Sequence, residues 1–540
     1  MAGESDTGAR AIPAGLSLGE TLLVAVVFAA AAAWPAPDVN EAVYLTKARH
    51  AANPAWAAGD FFLETPDAHG VFYLLMGPLA AALPLDQAAW VGRIAGWLAV
   101  AAGFTRAVSP LVATTWGRIA AAAIFSLALR HTTMAGEWVL GGCEAKVFAW
   151  AFVLGAVGEW VRGRFATAWL LGGAAAAWHP IVGGWAMVAL AIAWAMQPTS
   201  LAGPGTVIGL GAGMALAAAG VGPALSLTAG VESATRAAAA KIYVVDRLHH
   251  HLLLRTFSEA FIARHLLAVL AWWLVSRALV PTQPRARLTA FALGAIAISL
   301  AGVAISLCEP LAPATVLGLL RFYWFRLADV IVPLALAAAT AGLLEDAAAC
   351  RRALGFHPAL ARAATAAVLL VDAAAQSAHW PRGGGPPVAA RADAKVDAHA
   401  WADICAWVKD NTPADACFLT PRGSASFTWR TDRREVVSWK NSPQDARSLV
   451  EWRRRIVDCF SRGGKLADME RSTAALGPDR VRLAAERYGA DHVVVPLDSP
   501  RLADMPGERL HDNRVYAVYR LAPPGADEMP AAPDPDARAP

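Results

Sequence analysis

The chain has 540 residues, of which 56% are hydrophobic and 17% charged, and its mean hydropathy is +0.40. Soluble globular proteins carry about 25% charged residues, so this balance excludes an ordinary cytosolic enzyme, and so apolar a chain is not a disordered one. The net charge of +4 comes from scattered Lys and Arg; no block of like charge resembles a nucleic-acid arm, and nucleic acid is not an expected partner.

The charge is unevenly placed. The first 380 positions hold 43 charged side chains and the last 160 hold 47. That step predicts a membrane region followed by one water-soluble domain. Six cysteines (Cys143, Cys308, Cys350, Cys405, Cys417, Cys459) show no CxxC pair and no zinc spacing, and are read as buried thiols.

In chain order, a tail at 1–15 precedes eleven apolar stretches near the length of a membrane helix. They lie at roughly 16–34, 87–106, 117–131, 145–161, 165–179, 180–197, 204–229, 258–277, 288–307, 326–344 and 361–378. The first, following Arg10, resembles a signal peptide but is read as a retained anchor, since many spans follow. Gly70–Leu83 is too short to cross and is expected to lie at the interface.

With the N-terminus in the cytoplasm, the Arg-rich short loops fall on one side. They hold Arg106 and Arg118, Arg162 and Arg164, Arg277, Arg285 and Arg287, then Arg351, Arg352 and Arg362. The opposite loops carry Asp38, Glu41, Asp60, Glu64, Asp67, Glu137, Glu144 and Glu309. One outer loop, 229–258, runs against the rule with Arg236, Lys241, Arg247 and Arg255. Eleven crossings place the C-terminal domain outside, in the periplasm of a bacterium.

After 378 a linker (379–396) contains Pro381-Arg382-Gly383-Gly384-Gly385-Pro386-Pro387. The next segment, 397–522, reads as a small α/β domain. Helices are expected at 397–410, 445–460 and 479–488, and strands at 416–419, 435–439, 492–497 and 515–521. It has no Gly-rich phosphate loop, GxSxG elbow or zinc motif. The tail 523–540 is Pro/Ala-rich.

The first outer loop (35–70) holds Asp38 and Glu41, three residues apart, with Asp60 further on. On a helix the pair would share a face. It could accept a proton from a hydroxyl or hold a divalent Mg or Mn ion beside a phosphate; equally, Asp–x–x–Glu is a capping signature. Glu144 and Lys146 open a membrane helix, as a structural ion pair or a substrate contact. His179-Pro180 breaks two apolar runs, with His179 a packing residue or a contact to substrate. Three adjacent histidines, His249–His251, cannot all face one metal, and with Arg247 and Arg255 they predict a basic surface for headgroups or a phosphorylated ligand. Arg321 and Arg326, five apart, would diverge on one helix. Arg326 would then pair with Asp329 or, with Arg321, bind a phosphate.

This layout resembles the GT-C class of membrane glycosyltransferases, which use polyprenyl-phosphate-linked sugars. The strings NEAVYLTKARH, GGCEAKVFAW and RFYWFRLADV are also similar to a group of bacterial multi-pass proteins. The resemblance implies a mainly α, polytopic bundle with a small extracytoplasmic α/β domain. It makes Asp38 or Glu41 the catalytic base and puts Arg321 or Arg326 near the donor phosphate, where Arg255 of the basic loop would assist. Asp60, Glu144, Lys146 and His179 would contact substrate. The acids are spaced Asp–x–x–Glu, where the class commonly has adjacent acids.

The implied function is inverting sugar transfer, in a bacterial inner membrane, to a glycan, lipid or protein acceptor. A transporter or flippase for a lipid-linked or polar solute, and a non-catalytic envelope-assembly protein, are the alternatives. No inverted repeat supports the former.

Overall fold

The computed structural model describes residues 17–197, 203–382 and 388–522. The tails at 1–15 and 523–540, and linker residues 383–387, lie outside the described residues. Contacts divide the chain into two compact units, and the division is not a single cut near 380. The first unit takes 1–35, 67–75 and 86–388; the second takes 36–66, 76–85 and 389–540. The first outer loop therefore belongs largely to the same unit as the C-terminal domain.

The first unit is helical. Among the described residues, six helices are long and apolar enough to cross a membrane: Leu85–Val108, Pro204–Ser226, Glu259–Ala278, Gln283–Leu307, Ala328–Glu345 and Pro358–Ser377. The other five expected spans also form helices: Leu18–Ala32, Thr115–His131, Ala145–Val161, Phe165–Trp178 and Pro180–Ala195. These have 14 to 17 residues. At about 1.5 Å per residue the longest of them reaches about 25 Å, short of a hydrocarbon core of about 30 Å. Eleven crossings are thus more than length alone establishes.

Aromatic contacts join the core of this unit, with Phe104 stacked on Phe125 at 5.3 Å and edge-to-face with Phe28 at 5.5 Å, ring to ring. Elsewhere small residues set the spacing. Along Pro204–Ser226, a Cβ on Gly213 would lie 2.4 Å from the Trp169 carbonyl, and one on Gly220 would lie 2.2 Å from that of Ala176. Glycine lets the two backbones touch, which is how helices associate where lipid removes the hydrophobic drive.

Polar contacts sort the loops into two ends. At one, Arg118 pairs with Glu20 (2.8 Å), Arg106 with Glu159, and Arg287 donates to the Val161 carbonyl (3.2 Å). Glu345 accepts there from the amides of Ala113 (2.7 Å) and Thr114 (2.9 Å). These are the Arg-bearing loops that the charge pattern grouped together. At the other end the loops 132–144, 242–257 and 321–327 meet.

The second unit carries a five-stranded sheet of order β2-β1-β3-β5-β4. Its strands are β1 (Cys417–Leu419), β2 (Arg434–Glu435), β3 (His492–Pro496), β4 (Glu508–Asp512) and β5 (Tyr516–Arg520). β1 runs parallel to both β2 and β3, whereas β5 is antiparallel to β3 and β4. Four strands were expected. β4 escaped because its residues, Glu-Arg-Leu-His-Asp, are polar and mostly exposed on an edge. Gly507 precedes it at φ +93°, and a Cβ there would sit 2.0 Å from the Arg520 carbonyl. Trp401, Ile404, Phe418, Phe427 and Val518 form the core between sheet and helix Ala398–Asn411.

The first outer loop is knit into this unit. Ala392 N–H donates to the Pro37 carbonyl (3.3 Å), and Trp56 Nε1 donates to Asp432 (3.1 Å). Helix Glu41–Ala52 lies within the loop, and Gly77 of helix Gly70–Ala82 lets that segment approach Ala48, whose carbonyl would lie 3.0 Å from a Cβ.

Candidate functional site

Within the first unit the loops 132–144 and 321–327 bring buried charges together. Lys146 stands at the start of helix Ala145–Val161, its ammonium 3.7 Å from Glu144 and 3.8 Å from Glu137. The Trp138 ring lies under it at 3.3 Å. Glu137 also holds Arg326 at 2.8 Å and accepts from Trp150 Nε1 at 3.2 Å. Arg326 in turn stacks 3.7 Å over Tyr323. Glu137, Glu144 and Lys146 are buried, Glu144 completely.

The expected Arg326–Asp329 pair does not form. Helix Pro313–Leu320 ends before Arg321, and Tyr323 turns the chain with φ +54°. This aims Arg326 at Glu137. Asp329, at the start of helix Ala328–Glu345, instead accepts from the amides of Met134 (2.6 Å), Ala135 (2.9 Å) and Glu137 (3.3 Å). It thereby fixes the loop that carries Glu137.

His179 caps helix Pro180–Ala195, accepting from the Val182 amide at 3.4 Å, and its ring lies 4.9 Å from that of His69. His69 is bound to Asp67 at 2.6 Å. Burial pushes the His251 imidazole down to about 3, so the neutral ring donates Nδ1–H to the Ala135 carbonyl at 2.5 Å. Among the described residues no three His, Cys, Asp or Glu side chains converge as a metal cage.

Two other arginines were expected at the donor phosphate. Arg255 is exposed and paired with Glu309 at 3.2 Å, and Arg321 lies over the Phe322 ring at 5.8 Å.

Asp38, Glu41 and Asp60 belong to the second unit. Asp38 is 1% exposed and bound to Arg391 at 3.3 Å. Glu41 is wholly buried, and its carboxylate accepts from the Asp38 amide at 2.9 Å. This is the reciprocal half of a capping box, although Asn40 is the cap residue. Asp60 accepts from the amides of Leu63 and Glu435, both at 3.0 Å.

Residues 399–459 match DUF6798, a domain of unknown function. The DUF6798 segment opens within helix Ala398–Asn411, includes β1 and β2, and ends in helix Ala446–Phe460. A search of curated proteins finds no match to the chain.

Of the expected site residues, Glu144, Lys146 and Arg326 thus meet in one cluster. Glu137 and Asp329 complete it. Both sit in otherwise apolar surroundings beside a membrane helix, which is the signal that marks them; neither has a spacing motif.

Proposed function

We propose that the chain is an integral membrane glycosyltransferase of the GT-C type, moving a sugar from a polyprenyl-phosphate donor to an extracytoplasmic acceptor with inversion. The observation that carries this reading is the cluster of buried Glu137, Glu144 and Lys146 with the partly buried Arg326 at one end of a helical bundle. Ionised groups in such surroundings are costly and mark functional positions. The cluster's two cationic donors, Arg326 and Lys146, suit a lipid phosphate, whose negative charge grows as the glycosidic bond breaks.

In this reading Arg326 and Lys146 bind the donor phosphate. The acceptor oxygen attacks the anomeric carbon, and the C1–O bond breaks with its electron pair moving to the phosphate. The acceptor proton passes to a carboxylate. We assign that role to Glu144, which belongs to the same cluster and lies 3.7 Å from the Lys146 ammonium. Phosphate needs no acid catalyst to depart. A divalent metal is not required by this scheme.

The five shorter helices, with local bilayer thinning, would complete eleven crossings, and the Arg-bearing end would face the cytoplasm.

The test uses the full chain in proteoliposomes with a panel of synthetic polyprenyl-phosphate sugars. Product should form with at least one donor, and Arg326→Gln and Glu144→Gln should each lower turnover by about 10²–10³-fold, with protein levels maintained. Equal turnover in both variants would remove the site. Solute uptake with no product would replace transfer by transport.

A further inference from the structure

The second unit holds a cavity of about 690 Å³ that plays no part in the reading above. It lies beyond the carboxyl ends of the parallel strands β1 and β3, lined by Pro421 and Arg422 after the first and by Leu497 and Asp498 after the second. The chain leaves β1 for β2 on one side, while β3 flanks it on the other. In sheets with parallel strands this switch point is where ligands bind. The volume is in the range of small-ligand sites.

Four cations line it: Lys395, Arg422, Arg471 and Arg514. The carboxylates lining it are Asp397 and Asp498, so the cavity carries an excess of positive charge. Arg471 pairs with Asp498 at 2.7 Å and Arg514 with Asp397 at 3.6 Å, and all four side chains are more than a third exposed. Pairs of this kind contribute little, about 0–1 kcal/mol, and can exchange partners for an incoming anion.

Arg422 is more firmly built in. Its Nε donates to the Glu470 carbonyl at 3.0 Å, and its own backbone joins two other loops, through Arg471 (2.8 Å) and Trp439 (3.1 Å). The guanidinium stands 6.0 Å from the Trp439 ring, which also lines the cavity. At Gly423 a Cβ would press on Lys395, 3.0 Å away, so glycine lets the Arg422 loop close against the cationic rim.

We infer that this cavity binds a saccharide bearing an acidic group. Guanidinium forks suit a carboxylate or phosphate substituent. The carboxylates accept from sugar hydroxyls, and the Trp439 ring offers a face to the apolar side of a pyranose. The inference does not depend on sugar transfer, because binding is measured without turnover.

The experiment is calorimetric titration of the full chain in detergent with an oligoglucuronate, a neutral oligosaccharide of equal length, and inorganic phosphate. The oligoglucuronate should bind at least about 10-fold more tightly than either of the others and weaken as salt rises. Arg422→Gln should weaken it about 10-fold, the worth of one charged hydrogen bond. Lys395→Gln and Arg514→Gln, at exposed positions that folding tolerates, should each weaken it several-fold.

Equal binding of the neutral sugar would overturn the acidic requirement, and equal binding of phosphate would overturn the saccharide. Unchanged affinity in all three variants, or no binding of the oligoglucuronate, would overturn the site.

Discussion

The carboxylate of Asp60 accepts a 3.0 Å hydrogen bond from the backbone amide of Glu435, and the two acids are both buried in the second unit. Asp60 comes from the first outer loop and Glu435 from β2. The Glu435 carboxylate accepts from Thr420 Oγ1 and Asn441 Nδ2, each at 2.9 Å. Burial nonetheless pushes its carboxyl up to about 8, with Asp60 adding repulsion, and burial raises Asp60 as well.

A pH dependence with a definite sign follows. Between the ordinary glutamate range and about 8, the folded state holds a proton on Glu435 that the unfolded chain has released. Stability contributed by this group is complete below the ordinary range and falls as pH rises to about 8, by at most about 1.4 kcal/mol per pH unit. Hydrogen exchange at Phe418 and Val436, measured in the full chain from pH 5 to 9, should show protection declining. Glu435→Gln, which keeps a neutral side chain, should flatten that decline.

Removing one member of the Glu137 cluster should cost more than removing an opposed pair. Glu137→Gln leaves the partly buried Arg326 beside a neutral amide, and breaking a fully buried pair costs about 3–5 kcal/mol, the upper bound here. Glu137→Gln with Arg326→Met should lose less than Glu137→Gln alone. Thermal unfolding in detergent, run as a double-mutant cycle, reads the coupling.

Asp329 organises a loop through three amides. Asp329→Asn presents a donor where an acceptor is needed, which costs about 1–3 kcal/mol. Faster hydrogen exchange at Met134 and Ala135 should accompany it, with transfer activity falling because Glu137 sits on the same loop.

Glycine contacts give a paired prediction. A Cβ on Gly173 would lie 2.0 Å from the Gly213 carbonyl, whereas one on Gly184 meets nothing within 4 Å. Gly173→Ala should destabilise by about 1–3 kcal/mol through forced helix separation. Gly184→Ala, mid-helix and uncrowded, should be neutral or stabilising by up to about 1 kcal/mol. Thermal unfolding in detergent compares the two.

What the sequence determined by itself was the arrangement along the chain. Hydropathy located eleven helices, because a helix facing lipid must be apolar over its whole length. The rise in charge after 380 located the sheet-bearing segment, and turn residues marked most of its elements, the polar edge strand β4 excepted. The charge pattern grouped the Arg-bearing loops that meet at one end, but at the other end the basic loop 242–257, which ran against that pattern, joins the acidic loop 132–144.

Only the tertiary structure decided the partners. Asp38 and Glu41 sit three apart in any reading, yet Arg391, some 350 residues on, is what engages Asp38. Arg326 and Asp329 are adjacent on a helical wheel, but the turn at Tyr323 sends Arg326 to Glu137. The cavity beside β1 draws Lys395, Arg422, Arg471 and Arg514 from four separate segments. Periodicity is local and is written in neighbouring residues. A charged side chain's partner depends on which distant backbone folds against it, and no spacing in the chain records that.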